Sequence, residues 1–401
     1  MSILKEINCA ARWREFLAYK TEKSHLSKKD LAFLVDFIEN EKYKTITENI
    51  LNPGFDFSIP EKRLLNKLGK SKKRVIYTFS ESENLVLKLI TYLLYRYDNT
   101  QPPNCYSFRR KYGGKKAITT IIREKNIGQK YSCKIDIKDY FNKIDIELLL
   151  PILCKTLYDD EPLFCFLKKL LTADKAFFNG QTITEKRGVM AGTPMSPFLA
   201  NIYLAEMDRF FLDAKITYAR YSDDIIFFAD SRDELDEYYE TVKGFLNKYH
   251  LEINPDKVKV TEAGQTWDYL GISFDNGTIG LSAVTLKKIK GKIRRKARSI
   301  YRWKKRKDAD NSRAVRVFAR VLNRKFFGGR ENDFTWTRWF FPLINTDKEL
   351  KEIDSYIQEY ARYVCSGRFN KANYRFRYRE LKDCGYRNLV SEYYRFRQGK
   401  Q

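Results

Sequence analysis

Tyr221-Ser222-Asp223-Asp224 places two adjacent carboxylates between two short apolar runs, Ile216-Thr217-Tyr218-Ala219-Arg220 and Ile225-Ile226-Phe227-Phe228-Ala229. β-Branched and aromatic flanks around a Ser-Asp turn signal predict strand, tight turn, strand. Acids set against apolar flanks are costly unless a cation neutralises them, and hard carboxylate oxygens suit Mg²⁺. Alone, the pair favours a solvated hairpin turn, because Asp-Asp turns are common. Asp136 changes that balance, because it lies inside a second strand-like run, Tyr131 to Phe141. Carboxylates brought together from adjacent strands suit two divalent ions roughly 3.5–4 Å apart, the arrangement of polymerases and nucleases. Asp139 and Asp145 are alternative acids. Asp139 is an odd number of residues from Asp136 and so is expected on the opposite strand face, and Asp145 is expected to be structural.

Between these acids runs Gly188-Val189-Met190-Ala191-Gly192-Thr193-Pro194-Met195-Ser196-Pro197. Its glycines permit close backbone approach to a ligand, Ser196 is expected to cap the following helix, and Pro197 to be its first residue. A glycine loop between two acidic strands reads as facing substrate.

The elements that must position these residues are legible in outline. Residues 1–60 are expected to be mostly helical. Ser80-Glu81-Ser82-Glu83 and Ser231-Arg232-Asp233-Glu234 both read as capping boxes opening amphipathic helices. Past residue 280 the pattern is almost wholly helical. With 401 residues and 43% apolar content the chain can bury an ample core. No apolar run reaches the roughly 18–20 residues of a membrane span, and the first residues lack a signal peptide's apolar core. Seven scattered cysteines and two histidines argue against a zinc site and a disulfide framework, so a reduced cytoplasmic setting is expected. The net charge of +25 points to a polyanionic partner. Residues 287–307 hold 13 Lys or Arg and no acid, with Ile289, Ile293, Ala297 and Ile300 on one helical stripe. Lys287, Lys288, Lys290, Lys292, Arg294, Arg295, Lys296 and Arg298 are therefore candidate nucleic-acid contacts, a reading favoured over a merely solvated face because so many like charges repel one another without phosphates alongside.

The order of acidic strand, Gly-x-x-x-Gly-x-Pro-x-Ser-Pro loop and Tyr-x-Asp-Asp hairpin resembles bacterial reverse transcriptases. Asn254-Pro255-Asp256-Lys257, Tyr269-Leu270-Gly271-Ile272 and Lys73-Arg74-Val75-Ile76-Tyr77 are similar, in order, to the family's lysine-bearing motif, primer-grip hairpin and fingers strand. The resemblance implies an α+β right-hand polymerase fold: an N-terminal helical region at 1–60, fingers at 61–130, a palm with an antiparallel sheet backed by helices at 131–280 and a fingers insertion near 150–187, and an α-helical thumb with C-terminal extension at 281–401. It implies Asp136, Asp223 and Asp224 as catalytic carboxylates for two Mg²⁺ ions, Asp224 in a lesser and partly outer-sphere part, with the Ile137 carbonyl as a further ligand. Phe141 takes the place of the steric gate against a ribose 2′-hydroxyl. Arg74, with Lys72 as a weaker candidate, clamps the triphosphate, and Gly192 faces the nucleotide. Lys257 either protonates or neutralises the leaving pyrophosphate, or is simply solvated. One departure matters: many relatives have Pro-Gln-Gly where this chain has Met190-Ala191-Gly192, so the glutamine amide is missing.

Segments 336–347 and 385–394 are similar to the second type of defence-associated reverse transcriptase. That likeness implies RNA-directed DNA synthesis from dNTPs on a structured noncoding RNA template, a cDNA product and a role in anti-phage defence, with the basic helix and the N-terminal helices gripping the RNA. Template-independent or protein-primed synthesis, and a non-polymerising RNA-binding maturase or scaffold, are the competing readings. The oligomeric state is left open.

Overall fold

The computed structural model describes residues 2–23, 26–52, 54, 57–66, 73–328, 335–369 and 376–399. The strands in chain order are β1 (Glu61–Asn66), β2 (Lys73–Thr78), β3 (Tyr131–Asp136), β4 (Lys175–Phe178), β5 (Gln181–Thr184), β6 (Tyr218–Tyr221), β7 (Asp224–Ala229), β8 (Lys259–Thr261), β9 (Trp267–Tyr269), β10 (Ile272–Asp275) and β11 (Thr278–Leu281). Helices and mainly antiparallel sheets are interspersed along the chain, an α+β arrangement as expected. The chain divides into two compact units, Met1–Glu262 and Ala263–Gln401. The strands at 267–281, read from sequence with the palm, group with the C-terminal helices.

In the first unit, the sheet that carries the acids has the order β6-β7-β3-β8 and is antiparallel throughout. Of its two central strands, β7 is a near-continuous apolar run with Ile225 to Ala229 all buried, whereas β3 alternates, burying Cys133 and Ile135 on either side of half-exposed Lys134. The helix Arg232–Lys248 packs on β3 and β7. It opens with the expected capping box, Ser231 and Glu234 bonding reciprocally, and buries Leu235, Val242 and Leu246. A second sheet has the order β2-β1-β4-β5. The two residues between β4 and β5, Asn179 and Gly180, both take positive φ (50° and 84°), the turn that suits a two-residue hairpin. Four helices, Ile3–Glu6, Ala10–Lys23, Lys28–Glu39 and Tyr43–Leu51, make up the N-terminal region. They pack about Trp13, which stacks on Tyr43 with centroids 5.0 Å apart. The other expected capping box, Ser80 with Glu83, opens Glu81–Leu94.

The second unit holds the sheet β11-β10-β9 and the helices Ala283–Arg306, Asn311–Phe327, Trp336–Phe340, Lys348–Ser366, Tyr378–Asp383 and Leu389–Arg397. Ala283–Arg306 buries Ile289, Ile293, Ala297 and Ile300, the stripe read from sequence, against Lys348–Ser366 and Asn311–Phe327. Asp354, buried in Lys348–Ser366, locks the last helix in place. It accepts hydrogen bonds from the Tyr386 hydroxyl and from the Leu389 and Val390 amides, both amides at 3.1 Å. These are N–H groups that the first turn of Leu389–Arg397 would otherwise leave unpaired. No helix among the described residues is long and apolar enough to cross a membrane.

Asp354→Ala strands three buried donors at once. We expect it to lower stability by roughly 2–4 kcal/mol. Amide exchange should accelerate first in 386–397, measured by hydrogen exchange with mass spectrometry; a uniform acceleration along the chain would contradict the local lock.

Candidate active site

The register of the central strand pair places Asp136 directly opposite Asp224. On the other side of β7, Tyr221 pairs with Asp224, which leaves Ser222 and Asp223 as a two-residue hairpin loop. Ser222 takes φ +63°. Beyond the end of β3 the Ile137 amide donates to the Asp223 carbonyl at 3.0 Å. Asp136 and the adjacent pair Asp223-Asp224, distant from it in sequence, therefore lie at one end of two adjacent strands.

Serine rarely adopts positive φ, so the hairpin loop must be held. The Ser222 amide donates to Ser107 Oγ at 2.9 Å, and Ser107 Oγ donates to Asn201 Oδ1 at 2.9 Å. Beneath the loop lies a fully buried ion pair. Arg220 Nε and Nη2 donate to the two Asp208 carboxylate oxygens at 2.8 and 2.5 Å. The same guanidinium donates to the Asn201 carbonyl at 2.9 Å and, at 3.4 Å, to the Ser222 carbonyl. Tyr218 adds a hydroxyl donor to Asp208 at 2.8 Å. Sequence reading missed this support and took Arg220 as one more member of an apolar run. The available signal was a charge inside a strand otherwise made of β-branched, small and aromatic residues, with an acid on the preceding helix.

Electrostatically the site is short of positive charge. Asp136 is 7% exposed and pairs with Lys257, Nζ to Oδ1 2.5 Å, while Asn254 Nδ2 donates to the same oxygen at 3.4 Å. Burial raises the Asp223 carboxyl above its ordinary range and Asp136 adds to the shift; Lys257 and Arg74 oppose it. Burial, then Asp223 and Asp136, push Asp224 up to about 6. Deprotonating both therefore costs free energy that a cation would return. Among the described residues, no three His, Cys, Asp or Glu side chains are gathered closely enough to hold one ion. The expected trio shares one sheet end, and one Asp136 oxygen is turned to Lys257. The donors are all oxygen, Asp136 buried and Asp223 and Asp224 half-buried, and under-neutralised, which fits a hard divalent cation.

The other expected residues fall as follows. Phe141 lies half-buried in the turn Tyr140–Lys143, its carbonyl accepting from the Val189 amide at 3.0 Å. Its ring contacts Phe108 at 6.4 Å, and Phe108 contacts Tyr221 at 6.2 Å. Exposed Phe108, at φ +56°, was not singled out from sequence. Arg74 is exposed on β2, and its charge reaches Asp223. Lys72 and Lys70 lie outside the described residues. Gly192, φ +105°, does make a close approach, but to β2: a Cβ there would meet the Tyr77 carbonyl at 3.0 Å and Ile76 Cβ at 3.1 Å. The Tyr77 amide donates to the Ala191 carbonyl at 2.8 Å, joining the glycine loop to that strand.

Two expectations are corrected. Ser196 does not cap its helix; Met195 holds the cap position. The Ser196 hydroxyl instead bonds the Val189 and Met190 carbonyls, both at 2.7 Å, and so folds the glycine loop back on itself. Asp139 is not on the far face of the acidic strand, because β3 ends at Asp136 and Asp139 sits at φ +51° before the next turn. Asp145 is structural as expected, capping Ile146–Thr156 through the Glu147 amide at 2.9 Å and pairing with His250 at 2.9 Å. In the second unit, Lys287, Lys288, Lys292, Arg294, Arg295, Lys296 and Arg298 are exposed on Ala283–Arg306, and Lys290 is half-buried beside Glu352.

Known proteins are similar to parts of this chain. The retron Ec83 reverse transcriptase of Escherichia coli is 30% identical over 178 residues, 40% of this chain and 55% of that protein. The retron Mx65 reverse transcriptase of Myxococcus xanthus is 24% identical over 189 residues, 43% of each chain. The group II intron-encoded protein LtrA of Lactococcus lactis is 26% identical over 215 residues, 52% of this chain and 35% of that one. The chain thus spans about half the length, or less, of these curated relatives. Among solved structures, a Candida albicans telomerase aligns with TM-score 0.46 at 13% identity, covering 87% of this chain and 65% of that one. A family model described as reverse transcriptase (RNA-dependent DNA polymerase) matches residues 59–274, more than half of the 401. With the facing aspartates, the acidic hairpin and the glycine loop inside that span, this chain belongs to the reverse transcriptase family.

Proposed function

We propose that the protein is an RNA-directed DNA polymerase that extends a primer 3′-hydroxyl with dNTPs at Asp136, Asp223 and Asp224. The observation that carries this reading is the strand register that sets Asp136 opposite Asp224, with Asp223 at the hairpin tip between buried walls. Asp136, Asp223 and Asp224, with the Ile137 carbonyl, would hold divalent ions, two Mg²⁺ in the family pattern. When bound, such ions lower the pKa of the attacking hydroxyl and carry charge on the leaving pyrophosphate. Arg74, exposed and within electrostatic reach of Asp223, clamps the triphosphate with a fork that matches phosphate oxygens. Lys257 pairs with Asp136 and in this reading meets the leaving pyrophosphate. Phe141 acts as the gate against a ribose 2′-hydroxyl, backed by Phe108. Gly192 keeps the loop close to β2, beside the nucleotide.

The template in this reading is a structured noncoding RNA and the product a cDNA used in bacterial anti-phage defence in the cytoplasm. The likeness of 336–347 and 385–394 to defence-associated enzymes and the +25 charge support it. Omitting the RNA separates this from template-independent or protein-primed synthesis: dNTP incorporation that persists without RNA would reject the templated reading.

Asp223→Asn with Asp224→Asn should abolish cDNA synthesis while RNA binding, measured by filter retention, persists. Removing two half-buried charges whose ionisation is disfavoured should leave the melting temperature unchanged or raised, so a lowered one would mean misfolding. The same pair should govern cation binding. Mg²⁺ competes with protons for carboxylates, so its stabilisation of the wild type should grow as pH rises through about 6, the value for Asp224. An Mg²⁺-induced melting shift equal at pH 5 and pH 8, or one retained by the double variant, would place the ions elsewhere.

Phe141→Ala removes the proposed gate. We expect discrimination between dNTP and rNTP, as a ratio of kcat/KM values, to fall by roughly 10–200-fold, the range for a steric pocket contact. Unchanged discrimination would reject the gate.

A further inference from the structure

Ala283–Arg306 carries a second stripe beside its buried one. Lys290, Arg294, Arg298, Tyr301 and Lys305 recur at three- and four-residue spacing and so share a helix face. Lys348–Ser366 runs parallel to it and sets tyrosines alongside. Lys290 Nζ lies 5.1 Å from the Tyr356 ring centre. Arg294 and Arg298 both act electrostatically on Tyr360, and Tyr301 meets Tyr363 with centroids 5.4 Å apart. The helix ends at Gly367, φ +74°, where any Cβ would run into the Tyr301 ring. This left-handed turn sends the chain back. Phe369 then stacks on Tyr363, centroids 5.0 Å and planes 23° apart, and meets Tyr360 edge-on at 5.3 Å.

Phe369 remains 52% exposed. A single exposed ring is ordinary; one levelled on a second aromatic and set near a row of cations is not. Lys290 has Glu352 as a partner at 2.5 Å, whereas Arg294 and Arg298 have no ion-pair partner among the described residues. Cations that track a phosphate backbone and rings that accept bases are the two parts of a single-strand binding surface.

We infer that this face binds unpaired RNA, its phosphates along Arg294 and Arg298 and a base on the exposed ring of Phe369. The inference rests on the polymerase reading for the source of the strand. Nascent DNA leaves paired to its template, its bases covered, whereas unpaired parts of a long RNA keep bases free to stack. A duplex offers phosphates to the arginines but nothing to the ring.

The test uses the full chain without dNTPs and a fluorescein-labelled, unstructured RNA 12-mer, read by anisotropy. Its companions are the same strand with abasic sites, the same strand as a duplex, and the DNA of the same sequence. Phe369→Ala should weaken the intact RNA roughly five- to a hundredfold, the range for loss of one stacked base, and the abasic strand less than about twofold. Phe369→Trp should restore binding, which a merely damaged fold would not allow. Arg294→Gln with Arg298→Gln should weaken intact and abasic strands alike and flatten the plot of log affinity against log salt by roughly 1–1.5, about 0.7 per lost phosphate contact. Unchanged affinity in Phe369→Ala, or an equal loss on the duplex or the DNA, overturns the inference. Polymerisation plays no part in this readout. A chain that binds RNA through Phe369 yet makes no cDNA would sink only the polymerase reading.

Discussion

The site depends on keeping β3 and β7 in register. Side chains on a strand alternate between faces, so a slip of one residue would carry Asp224 to the face opposite Asp136 and dismantle the constellation. The apolar content of the two strands prevents that slip. Cys133, Ile135, Ile225 and Phe227 are wholly buried, and a shift would send them away from the helix Arg232–Lys248 that covers the sheet. A core made for stability thus sets the spacing of charges that destabilise it.

The second constraint lies under the hairpin. A fully buried ion pair is a poor source of net stability, because desolvating both ions offsets most of their attraction. Arg220 and Asp208 pay that cost for geometry. The guanidinium spans the Asn201 and Ser222 carbonyls while Asp208 holds it from below, so the strained Ser222 position is fixed from the side facing away from the acids. Losing either partner would leave an uncompensated buried charge, at roughly 3–5 kcal/mol, and loosen the turn that aims Asp223. Pairing inside the scaffold also keeps the Arg220 charge committed to Asp208. That leaves the three acids under-neutralised and available to an external cation.

Much of this was legible in the sequence where local chemistry decides the outcome. The two capping boxes, the hairpin at Asp223-Asp224 and the buried stripe of the basic helix each follow from residues within one or two turns of each other. What was not legible depends on distant partners. Ser196 has the side chain of a helix cap, but its hydroxyl is nearer the Val189 and Met190 carbonyls once the loop folds back. Asp139 could be placed on a strand face only by assuming where the strand stops, and the β8 side of the sheet sets that: the Lys138 amide turns to the Glu252 carbonyl. Arg220 was read as one more member of an apolar run because its partner Asp208 is on another element. That the three acids share one sheet end was legible, but the pairing of Asp136 with Lys257 was not, since that lysine lies 121 residues further on.

The same distinction bears on Ala191, where the family commonly has glutamine. The missing amide removes a side-chain contact, yet the loop's position does not rest on that side chain. Its backbone is joined to β2 through the Ala191 carbonyl, Gly192 fits against Ile76 and Tyr77, and Ser196 ties down its start. Alanine at a position only 3% exposed is compatible with all of these contacts. The substitution therefore separates two functions that a glutamine would combine: holding the loop, which backbone bonds accomplish here, and sensing the nucleotide. In the proposed polymerase the second task passes to the groups around the nucleotide that do not belong to the loop, the Arg74 fork on β2 and the Phe141 ring with Phe108 behind it. Selection in this enzyme would then rest on phosphate and sugar more than on an amide in the glycine loop.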